Sequence, residues 1–512
     1  MSPVNFTRML MARQFPLDFP GHWLSGTWHK APKADVIKES YNPSRDQKLV
    51  EVRLERAIVN KALDLAASAE ASLAMMSWQE RLELVAKLRQ VLVDYQAEIV
   101  LALRLETGKP LWDAQSDFAG TLATLDRVLA NPEEIERALL GAVRLGFDVG
   151  DFALRPIGLT VSFLPFSNPC SAFVHNVVSC LLSGCPLVIM ASGHATVNGI
   201  ILVGLVEMIG LPKNFLSVLF GNFTFFRQMA QDRRVQAIIY NGSREHCETL
   251  RKESHPLPQR QLLLQSAGKN AVIVDHDANI PLAIQCILMG VAKTASQLCS
   301  STSRVFVHAD LMEEVSGRLL AGIKKLRIGP TDGDDDPQMG PLYSKKAIDK
   351  FLRFQTMAKR EAKKTLLWGR VHDQEQSGYF VQPGLHVIDE FDPTSAYQSN
   401  VIMAPDVSLF TFKELETALK QANGTDAPLV ISYMGDPDVI KKRRRDVLAP
   451  NILLNLPTVD LEPYVPVAGR NQAGNYRCNG LGAIFLLTYP QVICDNGGRA
   501  RIFQNYGTKF AE

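Results

Sequence analysis

Ala295-Ser-Gln-Leu-Cys-Ser-Ser-Thr-Ser-Arg304-Val-Phe-Val307 decides how this chain is read. Cys299 stands in a small, polar turn between a helical pattern and a β-branched strand. Such a turn can leave a sulfur exposed beside backbone N–H groups. A thiolate there can attack a carbonyl carbon, and the N–H groups can hold the resulting oxyanion. A lone Cys is also a common small buried hydrophobe, so spacing alone leaves both readings open.

Outward from the turn, short apolar runs alternate with helical patterns. Leu159–Leu164, Leu187–Met190, Leu216–Phe220, Val235–Tyr240 and Leu262–Leu264 form one series. Ala271–Val274, Arg304–Val307, Val407–Phe412, Leu429–Tyr433 and Asn451–Asn455 form a second. Continuous apolar strands separated by helices predict parallel sheets covered on both faces. Upstream, Ser77-Trp-Gln-Glu80 is a capping box. It opens a helix with Leu84, Leu88, Val91, Leu92, Tyr95 and Ile99 at helical spacing, ended by Gly108 and Pro110. Trp23–Trp28 predicts a short hairpin, and the alternating residues 141–157 predict a ribbon away from the main core. The Phe485–Pro490 run is either buried between subunits or a core strand. Thr331–Pro337 is acidic but lacks the alternating ligands of a calcium loop, and reads as a surface turn.

A chain of 512 residues can bury a large core and form two or more domains. Apolar residues at 46% and charged residues at 21% are ordinary for a soluble protein. The net charge of +2 gives no footprint for a nucleic-acid or membrane partner. The basic run Lys441–Arg445 reads as a solvated helix face. Phe173–Met190 is interrupted by His175, Asn176, Ser179, Ser183 and Pro186, so it reads as a buried helix plus strand and not a membrane span. The eight Cys (170, 180, 185, 247, 286, 299, 478 and 494) include no Cys-x-x-Cys pair. That argues against a metal site and a disulfide scaffold, and fits a reducing cytoplasm. Met1–Arg8 lacks the charged start and apolar core of a secretory signal.

Gln297, Cys299 and Arg304 match the nucleophile motif of the aldehyde dehydrogenase superfamily, Gly-Gln-x-Cys-x-x-x-x-Arg, with Ser296 in place of the Gly. The chain resembles a divergent member, with landmarks from about Trp23 to Gln491. Thr107–Asp113, Ala473–Arg477 and Tyr489–Gln491 resemble the succinylglutamate semialdehyde dehydrogenases. The resemblance implies an α/β fold with a Rossmann-type dinucleotide-binding domain, an α/β catalytic domain and a β oligomerisation arm. We place the first at residues 1–140 and 158–268, the second at 269–455, and the arm at 141–157 and 481–512. A homodimer or homotetramer is expected, because exposed ribbon edges need a partner strand.

In that family a thiolate attacks an aldehyde to give a thiohemiacetal, hydride passes to NAD or NADP, and a Glu-activated water hydrolyses the thioester. Compared position by position, the nucleophile is kept as Cys299. The oxyanion-hole Asn falls on Ser167, with Asn168 one residue later. The general-base Glu falls on Gln265, which cannot accept a proton near neutral pH. Lys269 and Asn270 match, and Lys269 is assigned a structural role. The Lys and Glu that hold the adenine ribose become Met190 and Gly193, and the Glu at the nicotinamide ribose becomes Val401. Gly242 and Ser243 survive, while Cys247 replaces a Gly where pyrophosphate would approach a helix N-terminus. Gly221 and Ser192 complete the candidate cofactor contacts. Arg477 is the candidate anchor for a substrate carboxylate, with a surface ion pair as its alternative. Besides a binding protein for a carboxylated metabolite held by Arg477, two functional readings follow. One is NAD(P)-linked oxidation of a small semialdehyde through Cys299. The other is a catalytically inactive interaction subunit that has lost cofactor binding.

Overall fold

The computed structural model describes residues 3–31, 33–140, 151–255, 260–333, 335–372, 377–461 and 465–493. Parts of the proposed arm, 141–150 and 494–512, lie outside the described residues.

Two seven-stranded sheets organise the chain. The first has the order Gln261–Gln265, Ala237–Asn241, Thr160–Leu164, Leu187–Ser192, Leu216–Gly221, His22–Leu24 and Thr27–His29. Its first five strands are parallel, and the Trp23/Trp28 hairpin closes one edge antiparallel. Alternate residues of each strand enter two separate cores, one per face. Ile189, Ala191, Val218 and Ile239 pack on one side. Val161, Val188, Leu219 and Ile238 pack on the other. This two-sided burial, about 1.5–3 kcal/mol for each large aliphatic side chain, is why these runs are apolar without alternation.

The second sheet has the order Lys364–Leu367, Gly384–Val387, Asp406–Phe412, Thr302–His308, Asn270–Val274, Val430–Met434 and Asn451–Leu454. Five of these strands match predicted runs; the first two do not. Lys364–Leu367 is a half-exposed edge. In Gly384–Val387 the polar His386 interrupts the apolar pattern, although it is fully buried and hydrogen-bonded to Gln355 and Thr365.

Three other expectations need correction. The capping box at Ser77 is present, but its helix ends at Asp94 and a second helix, Gln96–Thr107, follows. Tyr95, at φ −113° and ψ 27°, joins the two. It bonds backward through its N–H to Val91 and forward through its carbonyl to Ile99, so the apolar spacing runs on across the break. The acidic loop is no free surface turn, because Thr331 is fully buried and Asp332 accepts from Asn42 (3.1 Å) and Arg45 (3.1 Å). The Phe485–Pro490 run is no core strand. A short helix, Ala483–Leu486, precedes the strand Thr488–Ile493, which pairs antiparallel with Asp151–Pro156. Leu487 is buried, whereas Phe485, Tyr489 and Val492 are exposed.

The Phe173–Met190 stretch forms a buried helix, Pro169–Ser183, and the strand Leu187–Ser192. Among the described residues no helix is long and apolar enough to cross a membrane. The segment 465–480 crosses from the second sheet to the edge of the first. Asn475 accepts from the Leu264 N–H (3.0 Å) and donates to the Leu262 carbonyl (2.9 Å), and Gly474 pairs with Gln265.

The first sheet reverses its order at Thr160–Leu164. Later strands add on one side at Leu187 and Leu216 and on the other at Ala237 and Gln261. Ligands of open α/β sheets bind beyond the strand C-termini at such a switch point. Residues just past those ends, including Pro165, Gly193, Asn222, Gly242 and Ser266, all line one cleft.

Candidate active site

The cleft has a volume of about 1210 Å³ and contains Cys299. The helix Ile280–Ala292 delivers the thiol turn. Beyond it Thr294 (φ 51°), Ala295 (φ 49°) and Ser296 (φ 57°) are all left-handed. Each costs roughly 1–2 kcal/mol for a residue with a Cβ, so the surroundings must over-determine them. Asp113 does so by accepting from the Thr294 N–H (2.7 Å) and hydroxyl (2.8 Å), while Lys109 donates to that hydroxyl (2.8 Å). Ser296 donates to the Val291 carbonyl (2.8 Å). The Gly of the motif falls on one of these left-handed positions, which explains its residue type.

Gln297 is fully buried and ties the turn to a neighbouring loop, donating to Thr294 and accepting from the Tyr343 N–H (2.8 Å). The Cys299 carbonyl accepts from the Gly268 N–H (2.9 Å) and Asn270 Nδ2 (3.0 Å). The backbone is thus fixed, and the half-buried thiol is left to the cleft. Gln265 Nε2 lies 3.9 Å from the sulfur, and Gln265 Oε1 accepts from Asn479 (2.7 Å). The amide at the general-base position therefore faces the thiol as a donor.

Burial pushes the Cys299 thiol up to about 11, partly offset by the N–H groups of Cys299 and Ser300. The neutral thiol is the form that burial favours, so the thiolate grows only as pH rises. Alkylation of Cys299 by iodoacetamide should accelerate about tenfold per pH unit from pH 7 toward 11. Peptide mapping of the alkylated protein measures this, and a plateau below pH 9 would contradict it.

Ser167 and Asn168 line the same cleft. Ser167 donates to Asn168 Oδ1 (3.2 Å), and Asn168 Nδ2 reaches Ser171 Oγ only at 3.5 Å. Arg304 is fully buried in a structural role. It donates to the carbonyls of Lys269 (2.6 Å), Ala422 (2.9 Å) and Gln421 (3.2 Å), and lies over the rings of Phe306 and Phe391. Lys269 is buried as well and donates to the Asn400 carbonyl (3.0 Å). Arg477 is exposed and is not among the cleft-lining residues.

On the cofactor side, Met190 is fully buried in the apolar core and offers a ribose nothing polar. Its sulfur lies against Gly221, where an added Cβ would come within 2.8 Å of it. Gly242 must also stay Gly, since a Cβ would meet the Tyr240 hydroxyl at 2.4 Å. Ser243 caps the helix Arg244–Ser254. Cys247 is buried in that helix, and His246 beside it stacks on Phe223 at 3.6 Å. Ser192 carries a buried hydroxyl without a hydrogen-bond partner, and Lys350 donates to the Val401 carbonyl (3.1 Å). All of these except Met190 line the cleft or adjoin it. The orphaned Ser192 hydroxyl, the close backbone at Gly221 and Gly242, the helix N-terminus at Ser243 and the Lys350 ammonium fit a dinucleotide. The ribose grip is weaker without the family carboxylates.

The sequence reading missed Lys109, Asp113, Asp117 and Lys293. Asp113, Ser116, Asp117, Gly120 and Thr124 recur at helical spacing on the helix Leu111–Ala130. A polar stripe along one face of this partly buried helix was the available signal.

Fold and site together define a two-sheet α/β protein that presents a thiol at a dinucleotide-type cleft. The chain belongs to the aldehyde dehydrogenase family, whose sequence profile matches residues 28–493. It is 26% identical over 399 residues to 1-pyrroline-5-carboxylate dehydrogenase 1 of Halalkalibacterium halodurans, covering 76% of each chain. Among solved structures, it is similar to 1-pyrroline-5-carboxylate dehydrogenase from Thermus with bound NAD (TM-score 0.87, 20% identity, 96% of this chain and 95% of that one). It is also similar to an NAD+ complex of aldehyde dehydrogenase from Bacillus cereus (TM-score 0.87, 21% identity, 95% of this chain and 98% of that one).

Proposed function

We propose that this chain oxidises a small semialdehyde, of the size and polarity of succinylglutamate semialdehyde, with NAD or NADP through Cys299. The observation that carries this reading is the thiol itself, on a backbone fixed through its carbonyl and open to a large cleft. Cys299 attacks the aldehyde carbon; the S–C bond forms as the carbonyl π pair moves to oxygen. The Cys299 N–H and the donors of Ser167 and Asn168 receive that oxygen, and the thiol proton ends on it as a thiohemiacetal. A bound nicotinamide supplies the hydride acceptor. Ser192, Gly221, Gly242, Ser243 and Lys350 would hold it.

Gln265 takes no proton, so release of the acyl group lacks the family's base and becomes the slow step. Transfer to a thiol such as CoA needs no activated water and suits the same site. The names of the pyrroline-carboxylate dehydrogenase relatives support a small polar substrate. The exposed Tyr489 and Val492 on the two-stranded ribbon support a homodimer or homotetramer. The seven cysteines among the described residues are unpaired, which suits the cytoplasm.

The inactive-subunit reading draws on Met190 and Val401, which remove charged ribose contacts. Calorimetric titration with NAD+ and NADP+, followed by an aldehyde screen at the NAD(P)H absorbance, separates the two. Active protein binds one cofactor and forms NAD(P)H, and Cys299→Ser abolishes formation. Absence of binding at millimolar cofactor would overturn the oxidative reading.

A further inference from the structure

Three side-chain amides form a line that ends at the thiol. Asn241 and Gln265 close two neighbouring parallel strands of the first sheet and stand opposite each other in register. Asn479 spans them from the crossing segment, where Cys478–Asn479 pairs antiparallel with Val467–Ala468. Its Nδ2 donates to Asn241 Oδ1 (2.6 Å) and to Gln265 Oε1 (2.7 Å). An amide nitrogen carries two hydrogens, so both are used. With its oxygen held by Asn479, Gln265 has its nitrogen left for the sulfur, 3.9 Å away. Asn241, Gln265, Cys299 and Asn479 all line the one cleft.

Asn479 is 9% exposed, and its Oδ1 is buried without a hydrogen-bond partner. A Leu of similar size would bury no unmet acceptor, so stability alone gives no reason for an Asn here. What the residue supplies is the pair of bonds from Nδ2. The Gln265 backbone does not depend on them. Its carbonyl accepts from the Gly242 N–H (3.0 Å), and the next residue, Ser266, donates its N–H to the Ala473 carbonyl (2.9 Å). Asn479 therefore sets the side chain, whose terminal torsion is otherwise broad and two-fold. At the sulfur, burial opposes the thiolate, while the N–H groups of Cys299 and Ser300 favour it. Gln265 adds a side-chain donor on the cleft side. A donor to the charged form favours that form.

We propose that Gln265 is a catalytic donor to the Cys299 sulfur and that Asn479 is the positioning residue that turns its amide nitrogen toward it. The inference rests on the Cys299 reading and deepens it: residue 265, which cannot serve as a base, acts instead on the attacking sulfur. It needs no nicotinamide, so it stands or falls apart from cofactor binding.

The test uses the full-length protein without nicotinamide. Cys299 alkylation by iodoacetamide is followed by mass spectrometry across pH for wild type, Gln265→Met, Asn479→Leu and the double variant. Each single variant should alkylate about threefold to tenfold more slowly at a given pH, the range of one net hydrogen bond. The profile should keep its slope and move to higher pH by about half a unit to one unit. The double variant should match Gln265→Met, because Asn479 acts only through Gln265. Merely structural damage gives the opposite sign: a loosened cleft exposes the sulfur and speeds alkylation. Faster alkylation in Gln265→Met would mean that the amide presents its oxygen, and overturns the proposal. So does a change below twofold in Asn479→Leu, or losses that multiply in the double variant. The p-nitrophenyl acetate burst should slow by the same factors. The expected alkylation pattern with no burst in wild type would support the donor and overturn Cys299 as the nucleophile.

Discussion

Gln265→Glu should raise steady-state hydrolysis of p-nitrophenyl acetate by about 10²–10⁴-fold, the usual contribution of a positioned general base. The ester acylates Cys299 and releases nitrophenolate without any nicotinamide, so the assay isolates the acyl-release step. Gln265 ends a strand of the first sheet, is 8% exposed, and accepts from Asn479 at 2.7 Å. A Glu in the same rotamer keeps that bond and turns its second oxygen toward the sulfur, where Nε2 now sits at 3.9 Å. Burial raises a carboxyl toward the range where it can take a proton near neutrality. Wild-type protein should show a nitrophenolate burst followed by slow turnover. The variant should keep the burst and gain turnover, with a rising limb in its pH profile. An unchanged steady state would mean that acyl release is limited elsewhere than at residue 265.

Arg304→Met is expected to cost about 3–5 kcal/mol of stability. Hydrogen bonds from a charged group are worth about 1.5–3 kcal/mol each and are not additive here. The substitution leaves the buried carbonyls of Lys269, Gln421 and Ala422 without their donor. It also removes the cation from over the Phe391 ring, 4.8 Å away. Burial already pulls the guanidinium down to about 9, so the site holds this charge only because those carbonyls surround it. Arg304→Lys should recover less than half of the loss, since an ammonium lacks the planar fork. Urea unfolding followed by near-UV dichroism measures both. A loss below 1 kcal/mol in the Met variant would refute this account of Arg304.

Much of the fold was legible because strands covered on both faces are apolar throughout. Val188 and Met190 face one core and Ile189 and Ala191 the other, so the run has no polar gap. The Gly384–Val387 strand escaped notice because His386 sits inside it, and only the folded structure brings Gln355 and Thr365 to its ring. The break at Tyr95 was invisible because the apolar spacing carries across it.

At the site, the turn around Cys299 was legible from a motif in which Gln297 and Arg304 do structural work, although nothing in their spacing says which bonds they make. The contact between the helix Leu111–Ala130 and the thiol turn was not legible. Lys293 and Ser116 are separated by 177 positions, and their pairing exists only once the helix Leu111–Ala130 packs beneath the thiol turn. Arg477 was chosen for its chemistry alone, and the fold places it on the surface.

The segment that carries Asn475 also constrains how the protein is made. Asn475 and Leu264 lie 211 positions apart. During synthesis the first sheet therefore emerges from the ribosome long before the residues that cover its outer strand. Through that interval the Gln261–Gln265 edge offers unpaired backbone groups to any passing chain, and nascent copies on one message are the nearest candidates. Slow or stalled translation within the second half of the gene thus favours co-aggregation of half-made chains, and a holding chaperone is most useful in that window.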